Sequence, residues 1–552
     1  MSLFSAIWSK LKEVLKSMIS PKSVEQVLHL TPAISNEMIT AIELWGDMYE
    51  GNAPWLHIPT KEDPTAVLSL GLPQLIASEK ARTALLEFES EITTPMEEEE
   101  VENPDYVEPS SFVDGEGNML TSPTPKTIIQ QTPVSSSDRA EYLNSQYEKL
   151  KKQLRRQLEY GIAKGGLVIK PYIVNNTPDG SKNANIDIEY DFVQADGFYP
   201  LAFDGSGNVT EAAFVQRKVD KDNTYSRLEY HKFENGVVTI ENRAYKSTSR
   251  GNAKGNDGDL GSEIPLKTVP EWANIEPKAQ IKDVDRLLFA YFKMPEANTV
   301  DTYSSLGVSG YSRATNLIEQ ADKQYSRLLW EYEGGELAID IDRDAMNFLD
   351  PDGNGDGRSV MGHLQQRLYR QIDLGESDTY QPYSPTLRDT SFIQGLNTLL
   401  MRIEDVTGLS RGTISDASSE ARTATEIKIL KQRSYQTNAD IQKALQDALD
   451  DTIYIMNVYC DLYGITPDGE YDVSYEWDDS ILVDVESELG KRITLMQNGL
   501  TSKVETRMWY FGETEEQARE ALQKIDEENQ MAVEQNMMNE MRMSGAQAQF
   551  GE

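Results

Sequence analysis

One stretch, Asp389 to Ile465, limits what this chain can become more than any other. Phe392, Leu396, Leu399, Ile403 and Val406 recur at alternating steps of four and three, which places all five on one face of a helix. Gly408 then ends that helix. From Thr425 a second periodic run carries Ile427, Leu430, Ile441, Leu445, Leu449, Ile453, Met456, Tyr459 and Tyr463, with no glycine or proline before Gly464. At ~1.5 Å per residue this second helix spans roughly 60 Å. Between the two, Leu409 to Ala424 is rich in Ser, Thr and Gly, carries Arg411 and Arg422, and has almost no large apolar side chain. The pattern predicts an exposed polar loop between a short helix and a very long one, a poor catalytic pocket but a good means of holding a loop out into a space.

Charge narrows the possibilities further. The 552 residues carry a net charge of -38, which argues against wrapping DNA by neutralising phosphates, a task that needs clustered Lys and Arg. It does not argue against DNA that is passed along without sticking. The charge is also uneven. Met96 to Pro109 holds seven acids and no base, whereas Ser410 to Tyr435 holds five bases against three acids. With 39% apolar residues and a mean hydropathy of -0.54, the composition is that of a soluble globular protein of several domains. No apolar run is long enough to span a bilayer and no signal-peptide pattern opens the chain, so a cytoplasmic origin is expected. The single cysteine, Cys460, falls within the long helix's apolar period and reads as core packing.

Taken in order, residues 1–20 form an amphipathic pattern, with Leu3, Phe4, Ile7, Trp8 and Leu11 on one side and Lys10, Lys12 and Lys16 elsewhere. This suits a helix on a membrane surface, or one docked on its own domain or a neighbouring subunit. Leu70 to Glu91 suggests a further helix. Thr93 to Asp138, rich in Glu, Pro, Ser and Thr, has too little apolar surface to offset its ordering entropy and is expected to be largely a mobile insertion. A helix from Arg139 to Gly165 carries Lys149, Lys151, Lys152, Arg155 and Arg156, read as a solvated face. The period then changes to two: Ile186, Ile188, Tyr190 and Phe192 alternate with acids, and Asn235-Gly236 joins two strand-like runs as a hairpin. Another helix, with Ala314, Leu317, Ala321, Leu328 and Tyr332 in register until Gly334, should pair with Phe392–Val406. A compact excursion beginning at the alternating ELAIDID separates them. The strand YDVSYEWDDSI opens the C-terminal part, followed by short helices over Glu486–Gln497, Ser502–Tyr510 and Glu513–Glu528, the last with Thr514 as N-cap.

Few motifs carry chemistry. In DPDGNGDGR, Asp350, Asp352, Asn354 and Asp356 match the first half of a helix-loop-helix calcium loop, but position twelve is Met361, where a bidentate Glu is needed. These four are weak metal candidates, and a plain acidic turn accounts for them as well. There is no phosphate-binding Walker loop, no His-Glu-x-x-His among the four histidines, and no nucleophile elbow around Ser309. No catalytic residue or cofactor is expected. A carbohydrate-active enzyme using an unidentified carboxylate pair and a membrane-surface scaffold anchored by residues 1–20 remain alternatives.

The order and spacing of LWGDMYEGNAPWL, FKMPEANTVDTYSSLGVSGYSRA, PTLRDTSFIQGLNTLLMRIEDVTGLSRGTISDASSEARTATEI, YDVSYEWDDSI and MQNGLTSKVETRMWYFGETEEQAREAL resemble the portal proteins of tailed bacteriophages, specifically the siphophage type of Gram-positive hosts. The resemblance implies an α+β fold with an α/β wing (1–306, with the acidic 93–138 insertion), a first stem helix (307–336), a small α/β clip (337–388) and a second stem helix (389–408). A tunnel loop (409–424), a long wing-crossing helix with its strand (425–483) and a helical crown (484–552) would follow. It implies no enzyme activity, and a ring of twelve copies at one capsid vertex of the virion, assembled in the host cytoplasm. Double-stranded DNA would be packaged and ejected through it, with the terminase large subunit, the major capsid protein or scaffold, and a head-completion or adaptor protein as partners. The tunnel-loop side chains facing DNA would be Arg411, Ser415, Ser418, Ser419 and Arg422, unless either arginine pairs with Asp416 or Glu420 inside the loop.

Overall fold

The computed structural model describes residues 28, 30, 32–57, 67–86, 88–102, 127–175, 186–220, 223–247, 260–342, 369–372, 380–416, 424–477, 485–498, 500–515 and 517–525. The chain divides into two compact units at Trp477/Asp478. The first begins with α1 (Asn36–Tyr49), capped by Ser35, whose Oγ accepts from Met38 N. It buries Met38, Ile42, Trp45 and Met48 along one face. Helix α2 (Leu72–Ala84) follows, with Pro73 in its first turn. The apolar run read as helix to Glu91 stops earlier, because Glu89–Thr93 forms strand β1, whose alternating burial seats Ser90 and Ile92 inward.

The described ends of the acidic segment pair with each other. Strand β2 (Met96–Glu102) pairs antiparallel with β3 (Thr127–Pro133), and residues 103–126 lie outside the described part. The register sets Glu97, Glu98, Glu99 and Glu100 opposite Thr132, Gln131, Gln130 and Ile129, so no acid faces an acid across the ladder. Composition alone cannot reveal that pairing.

Helix α3 (Asp138–Lys164) buries Leu143, Tyr147, Leu150, Leu154, Leu158 and Ile162, a stripe that follows the i, i+4 rows. It ends at Gly165 with φ 92°, where a Cβ would lie 2.7 Å from the Gly307 carbonyl; Gly307 in turn leaves no room for a Cβ against Gly165. This close crossing explains the glycine of the GVSG sequence as packing. Strands β4 (Gly166–Asn175) and β5 (Ile186–Gln194) pair antiparallel. A meander follows as β6 (Phe198–Phe203), β7 (Val209–Asp220), β8 (Asn223–Glu234) and β9 (Val237–Ser247). Asn235 (φ 53°) and Gly236 (φ 76°) form the two-residue turn between the last two strands, both in the left-handed region that such a hairpin requires. Two short strands, β10 (Ser262–Ile264) and β11 (Lys278–Lys282), cover successive stretches of the other edge of β9, and β12 (Ala290–Lys293) completes the β4–β5 sheet.

Helix α4 (Thr315–Gly334) leads into a small sheet in which β13 (Ala338–Asp342) runs parallel to β14 (Tyr369–Ile372) and antiparallel to β15 (Tyr380–Tyr383). Helix α5 (Asp389–Thr407) then returns along α4, as the apolar stripes predict. The two are antiparallel: Arg388 at the start of α5 meets Glu331 near the end of α4 at 2.6 Å, while Gly395 lies beside Gln324. The long helix is α6 (Ala424–Tyr463), and β16 (Asp472–Glu476) pairs with β1. Ile441, Leu445, Leu449, Ile453, Met456 and Cys460 of α6 are all 0–1% exposed, in one core with α3, β4 and β12. Each such side chain contributes roughly 1.5–3 kcal/mol by leaving water. Burial pushes the Cys460 thiol up to about 11, so it stays an inert core group. Tyr463, by contrast, is exposed at the helix end. Arg139, at the start of α3, is buried and donates to Asp461 at 2.8 Å and to Thr466 Oγ1 at 2.8 Å, fastening the two helices end to end.

The second unit holds α7 (Val485–Gln497), α8 (Lys503–Phe511) and helical residues 517–525. Ser502 and Glu505 form a reciprocal capping box on α8. Thr514 makes the same exchange with Gln517.

Candidate functional site

The segment joining α5 to α6 is built around one acid. Gly408 stops α5 with φ 77° and its N–H donates to the Glu404 carbonyl; a Cβ there would collide with Thr437 Oγ1 of α6, so only glycine allows the two helices to approach here. The Glu404 side chain, 0% exposed, points into the turn that follows. Its Oε1 accepts from Ile414 N at 2.6 Å, Ser415 N at 2.9 Å and Gly412 N at 3.1 Å, and its Oε2 from Ser415 Oγ at 2.7 Å. A buried carboxylate with four donors of this kind is a template: backbone amides that no helix or strand would satisfy converge on it. Leu409 is buried, Ile414 packs on the core, and Asp416 N donates to Asn397 Oδ1 of α5 at 2.8 Å.

The first half of the segment is therefore folded down on α5 rather than held free, contrary to the expectation of a wholly exposed loop. The reason is Glu404, which supplies the partners that the loop's own side chains lack. Ser415 is 7% exposed with its hydroxyl bound to Glu404, so the expected outward Ser415 does not hold. Arg411 is half exposed and does not pair with Asp416, while Glu420 lies outside the described residues. Arg411 forms a two-pronged bond with Asp405 of α5, Nε to Oδ1 at 3.0 Å and Nη2 to Oδ2 at 2.9 Å. Ser418, Ser419 and Arg422, with residues 417–423 as a whole, lie outside the described residues. So do the calcium candidates Asp350, Asp352, Asn354 and Asp356; among the described residues no group of three or more acids, His or Cys gathers to hold a metal.

Two further arginines approach Asp405. Arg433 of α6 donates Nη1 to the Asp405 carbonyl at 3.0 Å and lies 3.8 Å from Oδ1; Arg402 of α5 lies 3.9 Å from Oδ2. The hydrogen bond from Arg411, aided by the charges of Arg411, Arg433 and Arg402, holds the Asp405 carboxyl below the usual carboxylate range despite partial burial. Sequence reading missed Glu404, Asp405, Arg402 and Arg433. One signal was available: two acids occupy the last turn of α5, where the helix dipole disfavours negative charge, and acids so placed need donors or cations nearby. The other basic run, on α3, is partly structural, with Lys149 paired to Asp187 at 3.0 Å and Lys151 donating to the Ser90 carbonyl at 2.6 Å.

The chain mixes helix and sheet, and a comparison with known families shows where it belongs. Residues 125–535, most of the chain, match the family described as phage portal protein, SPP1 Gp6-like. The chain belongs to that portal family and is a component of the bacteriophage virion serving genome packaging. No curated protein gives a match. Among the described residues, no helix is long and apolar enough to cross a membrane.

Proposed function

We propose that twelve copies of this chain close into a ring at one capsid vertex, through which double-stranded DNA is packaged and later ejected. In this reading α4 and α5 are the stem, the β13–β15 sheet belongs to a clip that receives the terminase large subunit, and residues 409–424 are the tunnel loop. Residues 1–306 with α6 and β16 form the wing against the capsid protein or scaffold, and residues from 484 onward form the crown. A head-completion or adaptor protein joins the ring after filling, and the phage is of the siphophage type infecting Gram-positive hosts.

One observation beyond the family carries the reading: the α4–α5 pair does not finish its own core. Of the α5 stripe Ile403 is fully buried and Leu396 and Val406 pack partly buried on the core, while off the stripe Ile393 is 49% exposed and Trp330 of α4 67%. Large apolar side chains left in water on a two-helix hairpin suit a surface covered by further copies of the same hairpin. An acidic chain also suits a channel that must not hold a polyanion tightly. The test is assembly of phage heads with and without this chain: heads lacking it should remain empty of DNA and be filled when it is restored. Equal filling in its absence would refute the proposal.

A further inference from the structure

Three guanidinium groups, from Arg402 on α5, Arg411 after it and Arg433 on α6, stand within 4 Å of the single Asp405 carboxylate. We propose that this cluster is a phosphate-binding site for the backbone of the DNA duplex, placed at the root of the connecting loop rather than at its tip. The inference rests on the portal reading and adds Arg402 and Arg433, which that reading does not name, to the Arg411 it does.

Charge in the cluster is unbalanced, and the excess faces outward. Asp405 already receives two hydrogen bonds from Arg411, and its side chain is only 19% exposed. Glu404 is fully buried with its oxygens occupied by the loop. The three arginine side chains are 65%, 50% and 61% exposed. Negative charge here is thus withdrawn and saturated, while positive charge faces solvent and retains unused N–H donors. An approaching anion meets the cations first. Asp440, seven residues along α6 from Arg433, and Glu296 line the same cleft as Asp405 and Arg433; Glu296 is held by Lys80 at 3.0 Å and Arg313 at 3.8 Å, which leaves Asp440 as the competing acid. Like charges brought this close repel unless an anion joins them, and guanidinium forks match phosphate oxygens. The arginines come from two helices and a templated turn, which hold them in place. Repeated around a ring, each cluster holds a phosphate weakly and releases it as the duplex moves.

The experiment measures binding of a fluorescent duplex to purified wild-type, Arg402→Ala and Arg402→Ala/Arg433→Ala assemblies across a salt series, with particle mass as the assembly control. Arg402→Ala leaves the Arg411–Asp405 pair intact and isolates the charge from the fold. Expected are unchanged mass, weaker duplex binding, and a slope of log K against log salt that is shallower by about 0.9 for each phosphate no longer neutralised. Asp405→Asn should act the opposite way, tightening binding. Wild-type assemblies that bind duplex while all three variants keep its affinity and slope would overturn the site and leave the portal reading standing. Variants that keep their helix content but fail to assemble would overturn it in favour of pairing with a carboxylate of the neighbouring copy. Wild-type assemblies that bind no duplex at any salt would sink the site together with the DNA-conducting reading.

Discussion

Helices α5 and α6 carry the same apolar period, yet one is finished within the chain and the other is not. Along α6 the residues from Ile441 to Cys460 on the inner stripe are essentially without exposure, closed over by α3 and two strands. Of the α5 stripe, Ile403 alone reaches that state, and Ile393 of α5, Leu387 just before it and Trp330 of α4 are exposed. Periodicity states that a face must be covered; it does not state by which molecule. On the proposed ring, Ile441–Cys460 of α6 belong to the fold of one subunit and the exposed end of α4–α5 is left for neighbouring copies.

The sharpest way to break this contrast is to empty each stripe in turn. Leu449→Ala on α6 should cost roughly 2–5 kcal/mol of unfolding free energy, because the packed surroundings cannot collapse into the space, and chemical denaturation will read it. Next in size is Glu404→Gln, which removes the charge from a fully buried acceptor of four donors and should cost about 1.5–3 kcal/mol. Limited proteolysis near residues 409–416 will show whether the turn has come free. Ile393→Ser with Trp330→Ser should change subunit stability by no more than about 0.5 kcal/mol, as for exposed positions elsewhere, and yet abolish assembly, seen by native mass. If instead these changes unfold the subunit, α5 is as intramolecular as α6.

A smaller effect concerns pH. Burial, with the charges of Asp47 and Asp196 adding to it, pushes the Glu43 carboxyl on α1 from its ordinary value near 4.5 up to about 7. The folded state therefore holds a proton that the unfolded state releases, and the stability from this group falls as pH rises from about 4.5 to about 7. Glu43→Gln should flatten that part of the stability–pH curve. An unchanged slope would show that the carboxyl is not shielded.

Much of this was legible in the residues. Alternation gave β5, Asn235-Gly236 gave the hairpin, and the four-three steps placed α4, α5 and α6 to within a few residues, since those signals are local. The state of the connecting segment was not legible. Its own side chains are polar and small, so it reads as exposed, and the group that folds it down belongs to the preceding helix. Arg411 stands out in the sequence as a charge but not for its partner, because Asp405 lies six residues back, around the corner made by Gly408. The pairing of the glutamate run with Thr127–Pro133 depends on a partner far along the chain, which composition does not record.

The most direct test is particle imaging of the purified chain. Uniform rings with a central opening are predicted, with the exposed faces of α4 and α5 covered by neighbouring copies. Single subunits at micromolar concentration, with Trp330 and Ile393 still open to solvent, would contradict a ring built on those faces.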